Sequence, residues 1–161
     1  MRGRVLGFGA LVVVALIISH FTDAGRDATG VVNKSGDVSA SEVRVGDCFD
    51  DLPQASAEGS TFSSVHAVPC SEGHHWQAFH EEAAALETFS DTDIQSAADT
   101  ICNNATQILI ENMSSIKFDA FQNAKLTFFA PTYKSWTLHG DRAVQCLIGS
   151  DSETYFTSVF D

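Results

Sequence analysis

Ser90 to Leu109 reads SDTDIQSAADTICNNATQIL, and its apolar positions decide the architecture. Ile94, Ala97, Ala98, Ile101, Cys102, Ala105, Ile108 and Leu109 recur in steps of three and one, which trace one face of a helix. Ser90 with Asp93 three residues on resembles a capping box, Asp standing in for the usual Glu or Gln, and starts that helix. Cys102 falls inside the stripe and is expected to be buried. On the N-terminal side, VRVGDCF (43–49), FSSVHAV (62–68) and HWQAFHEEAA (75–84) have the branched and aromatic content of strands, with PCSEG at 69–73 as a turn. On the C-terminal side, KLTFFA (125–130), RAVQCLI (142–148) and TYFTSVF (154–160) predict three more, the last two closing a hairpin across Gly149-Ser150-Asp151-Ser152. One helix between two strand sets predicts an α+β domain, a mostly antiparallel sheet packed on one main helix.

The chain has 161 residues, 44% hydrophobic and 19% charged, which is material for one modest domain. Nine Lys+Arg against 21 Asp+Glu give a net charge of -12, which repels phosphate backbones, so no nucleic-acid partner is expected. Two arginines in Met1 to Arg4 precede VLGFGALVVVALIISHF (5–21), which has no carboxylate and His20 as its only ionisable group. That pattern is an export signal. As a helix it spans roughly 25 Å against a hydrocarbon core of about 30 Å, so residues 1–21 are expected to form an N-terminal transmembrane helix that joins the chain to the cell membrane. Basic residues stay inside, which puts everything after residue 21 outside, as a single-pass protein. Cleavage after Ala24, with Thr22 two residues earlier, would instead release a secreted form. Residues 22–41, TDAGRDATGVVNKSGDVSAS, are small and polar and predict a flexible linker, leaving 42–161 as the folded domain.

Cys48, Cys70, Cys102 and Cys146 all lie in the part expected to be exported, where oxidation is the default. Four cysteines allow three connectivities. Cys48 with Cys70 and Cys102 with Cys146 is favoured, because the first pair ends neighbouring strands and the second joins the helix stripe to a strand. No two cysteines have the spacing of a zinc knuckle, and no metal or other cofactor is expected.

His66, His74, His75, His80 and His139 invite a metal or catalytic reading, with His74 and His75 beside Glu72 the densest group. Adjacent residues of a strand point to opposite faces, so His74 and His75 do not chelate one ion there. Asp47, Asp50 and Asp51 around Cys48, and Glu81 with Glu82, read as solvated acidic surface, since neither a calcium loop nor a nucleophile elbow accompanies them. Trp76 and Trp136, like Phe128 and Phe129, read as strand residues packing a core or sheet face.

The order VGDCFDD (45–51), VPCSEGHHWQAF (68–79), a lone helix cysteine, then FAPTYKSWTLHGDRAVQCLI (129–148) resembles the actinobacterial septum formation-related domain. The positions carrying the resemblance are Gly46, Asp47, Cys48, Cys70, His74, Cys102, Pro131, Trp136, Gly140, Asp141, Arg142 and Cys146. Gly73 stands where that family has Pro, and His75 is an additional histidine. The resemblance implies an extracytoplasmic, disulfide-bearing module named for cell-division septum formation, with no assigned reaction. Read physically, Gly140 is a turn glycine at positive φ, Trp136 covers the core, and Arg142 pairs with a nearby acid. The expected function is that of a membrane-anchored, noncatalytic envelope module binding another envelope protein or a cell-wall component, with no catalytic residues and His74, His75, Trp136 and His139 as its binding surface. Two alternatives stay open. One is a small extracytoplasmic hydrolase using His74 or His75 with Glu72 or Asp47; the other is a ligand sensor, which requires a cavity between helix and sheet.

Overall fold

The computed structural model describes residues 23–52 and 64–160. The strands are β1 (Gly25–Arg26), β2 (Val32–Lys34), β3 (Gly36–Ser39), β4 (Cys48–Phe49), β5 (Ser64–Val68), β6 (Trp76–Ala83), β7 (Lys125–Phe129) and β8 (Ala143–Gly149). Three helices, α1 (Asp91–Asn112), α2 (Ser115–Phe121) and α3 (Tyr133–His139), complete the described elements, with a single 3-10 turn at Ala40–Glu42.

β8 shows how the layers arise. Val144, Cys146 and Ile148 point into one apolar cluster, and Leu147 points into the other, with the Gln145 amide on the same side hydrogen-bonded to the Val43 carbonyl at 2.9 Å. A strand with this period of two and no exposed face has to lie inside a sheet covered on both sides. That sheet has the order β3-β5-β4-β6-β8-β7, antiparallel at every pairing, with β1 and β2 forming a separate two-stranded piece. α1 covers one face through Ile94, Ala98, Cys102 and Ala105, all buried. The other face closes on Val32, Val38, Val43, Phe49 and Trp76. In a flat sheet β4 and β7 would stand about 14 Å apart, three strand spacings. The rings of Phe49 and Phe129 nevertheless lie 6.4 Å apart, so the sheet curls into a half-barrel.

Four expectations need correction. The transmembrane helix expected at 1–21 lies outside the described residues, and among the described residues no helix is long and apolar enough to cross a membrane. The architecture of the described residues is a curled antiparallel sheet with three helices, rather than a sheet on one main helix. Residues 23–41 of the expected linker are ordered: β3 pairs with β5 over four residues, Val32 and Val38 are buried, and Asp23 bridges Asp37. Composition missed this because two valines suffice where the rest of the face comes from distant strands. The C-terminal hairpin is also absent. After Gly149 the chain leaves the sheet, and Tyr155 makes only one isolated antiparallel bridge, with His74. Side chains hold the tail in place of a ladder: Val159 N donates to Gln77 Oε1 at 2.6 Å, and Lys117 Nζ donates to the Ser158 carbonyl at 2.5 Å.

Candidate functional site

The cysteines pair as favoured. Cys48 joins Cys70 and Cys102 joins Cys146, with Cα separations of 5.3 Å and 5.4 Å. The first bridge fastens β4 to the turn beyond β5, where Cys48 faces Val68, and the second fastens α1 to the middle of the sheet.

Gly46 and Asp47 form a corner before β4. Gly46 takes φ 99°, a conformation that suits glycine. Asp47 is buried, and Arg26 meets it with two short bonds, Nη1 to Oδ1 at 2.6 Å and Nη2 to Oδ2 at 2.7 Å. The Arg44 amide donates to the same carboxylate at 2.8 Å. The hydrogen bond to Asp47 is the main reason the Arg26 guanidinium holds its proton more tightly than usual. Asp47 thus belongs to the fold's interior, whereas Asp50 and Asp51 are exposed, as expected.

His74 and His75 precede β6, on opposite sides of the chain. His74 has no exposed surface. Its Nδ1 lies 3.0 Å from the Glu72 carbonyl, which can only accept, so Nδ1 carries the proton and Nε2 is a bare acceptor with no partner among the described residues. Burial, and secondarily the neighbouring His75, lowers the His74 pKa from 6.5, against the pull of the Glu72 carbonyl. Tyr155, whose ring stacks on Phe121 at 4.4 Å, is pushed up to about 12 by burial and by Glu153. A depressed His74 pKa means that the unfolded chain binds the proton more readily. Stability should therefore be constant above pH about 6.5 and fall as pH drops from there toward the folded value. Urea midpoints at pH 7.5, 6.5 and 5.5 should show this decline in the wild type and a smaller one in His74→Gln.

Trp136 and His139 lie on α3, a helix where a strand was expected; Thr132 and Ser135 start it with a reciprocal capping box. Gly140 ends the helix at φ 66°, so its reading as a positive-φ glycine holds. A Cβ on Gly140 would touch nothing within 4 Å. Gly140→Ala should therefore cost only the backbone strain, about 1 kcal/mol, seen as a lowered thermal midpoint. Trp136 is buried in the core as expected. Arg142 differs from its reading: its guanidinium lies 3.4 Å from the Trp136 ring centroid and donates to the carbonyls of Trp136 and Asp141, with no acid paired to it among the described residues.

The expected four-residue surface is not one site. His75 adjoins Trp76, which pairs with Gly149 at one end of β8, whereas Arg142 with Trp136 and His139 sits at the other, roughly 20 Å away. Of the four, His139 is exposed, His75 half-buried, and His74 and Trp136 buried. No protein-family model, curated protein or solved structure matches the chain. Among the described residues no three His, Cys, Asp or Glu side chains converge as a metal site.

Two depressions lie among the described residues. One, of about 490 Å³, is polar and lined by Asp23, Arg26, Asp37, Glu42 and Arg44, with Arg26 already committed to Asp47. The other, of about 390 Å³, runs between the end of β6 and the first turns of α1. Leu86, Ala97 and Ile101 form its half-buried floor, and Glu82 and Asp93 add carboxylates. Sequence reading assigned Ala97 and Ile101 wholly to the core and Glu82 to plain surface. The only available signal was that the helix stripe is wider than one sheet contact can cover.

Proposed function

We propose that this chain is a noncatalytic, extracytoplasmic binding module of the cell envelope, acting in septum formation as the resemblance implies, with another envelope protein or a cell-wall component as its partner. The observation that carries the reading is what the motif side chains do. Cys48, Cys70, Cys102 and Cys146 are consumed in two bridges, Asp47 in its pair with Arg26, Arg142 in its stack on Trp136, and His74 under Tyr155. Residues spent on holding a scaffold leave the scaffold's surface as the working part. Two disulfides in so small a domain also support residence where thiols oxidise, on the outer side of the cell membrane, and the basic start with its apolar run supplies the route there.

Photo-crosslinking in the native envelope tests this. Recovery of a defined partner, with no turnover of envelope substrates by the purified oxidised full-length chain, is the expected result. Turnover that disappears in His75→Ala or Glu72→Gln would replace the binding module with a hydrolase. Substituting His74 alone is a poor test of that kind, because its imidazole is inaccessible.

A further inference from the structure

We propose that the groove between β6 and α1 receives a basic segment of a protein partner, one Lys or Arg side chain lying along it. This deepens the binding-module reading and rests on it. Leu86, Ala97 and Ile101 leave a strip of apolar surface that packing against the core does not finish covering. The methylene stem of Lys or Arg suits such a strip, and its charged head needs a carboxylate within reach. Glu82 supplies one from the strand side and Asp93 one from the helix side, both exposed, and no basic residue lines the groove.

The surrounding charges agree. Glu82 Oε2 has His80 Nε2 at 3.3 Å, while Glu81 turns to the other face and accepts from Gln145 at 3.3 Å. Arg142, just before β8, keeps its guanidinium on the Trp136 ring and two carbonyls. Glu87 and Asp91 add exposed acids in the loop and first turn beside the groove. With a chain charge of -12 the field attracts a basic segment and repels an acidic peptide or a phosphate-bearing polymer.

The test uses the oxidised full-length chain and a fluorescent peptide of alternating Lys and Leu, with Glu-Leu and Ser-Leu peptides of equal length beside it. Fluorescence anisotropy should detect only the Lys-Leu peptide, and its amide shifts in NMR spectra should centre on Leu86, Ala97 and Ile101. Glu82→Gln with Asp93→Asn should weaken binding about tenfold. Neutralising Asp50 and Asp51, which lie roughly 20 Å back along β6, should change it less than about twofold. Ala97→Gln, which fills the groove without altering charge, should cause a comparable loss and covers the case in which the charge variant misfolds. Absent binding, equal binding of the Glu-Leu peptide, equal effects of the two acid pairs, or shifts centred elsewhere would each overturn the groove assignment. A partner still crosslinked in the envelope would then leave the binding-module reading standing, whereas that reading fails separately if no partner is recovered.

Discussion

Replacing Cys102 and Cys146 together by alanine should lower the unfolding free energy by about 4 kcal/mol, the chain-entropy value for a 44-residue closure. Small domains have only about 5 to 15 kcal/mol in total, so the variant should be largely unfolded at modest urea concentrations. The position of the bridge adds to the effect. Cys146 has no exposed surface and stands opposite His80 and Phe128 in the middle of the sheet, where a lost sulfur leaves a void between the sheet and α1. Removing Cys48 and Cys70 should cost less, about 3 kcal/mol, because that closure is 22 residues long and Cys70 lies half-buried in the turn beyond β5. Urea titrations of the two double variants check the order. Equal losses would mean that closure length does not set the effect.

Arg26→Ala should destabilise by about 3 to 5 kcal/mol, the range for stripping one partner from a buried ion pair. Asp47 is 3% exposed and, among the described residues, its carboxylate would keep only the Arg44 amide. Asp47→Asn should cost less, because the Arg26 side chain is 18% exposed and also donates to the Gly30 carbonyl. A double-mutant cycle should give a coupling above about 1 kcal/mol. A chain starting at Glu42 lacks Arg26, and its stability should drop by the same amount as Arg26→Ala or more. That outcome would distinguish the ordered N-terminal strap from the boundary at residue 42 that composition suggests. If the shortened chain is as stable as the whole, the pair contributes nothing measurable.

Local chemistry was legible where a signal repeats. The stripe of α1, its Ser90 cap, β6, β7, β8 and both disulfide pairings follow from periodicity and from which elements adjoin. α2 and α3 escaped because seven residues are too few to show a period; for α3 the Thr132 and Ser135 box was the one readable sign. The strap at 23–41 escaped for a different reason: Arg26 and Asp47 are 21 residues apart, and nothing local to either announces the other. His74 and Trp136 are among the positions that carry the resemblance, and His75 and His139 are their near neighbours in sequence, which is what groups the four. Strand register then separates them by the length of β8. The groove escaped because its carboxylates and its floor come from two elements whose crossing only the fold defines.

The ordering of residues 23–41 bears on how such a domain would search. A slack tether lets a head sweep a hemisphere and meet targets by diffusion at raised local concentration. Residues 23–41 are instead engaged with the sheet from Asp23 onward, so they supply no slack of their own. A pull or a fixation applied at Asp23 would pass directly into β3 and β5 instead of being taken up by loose polypeptide.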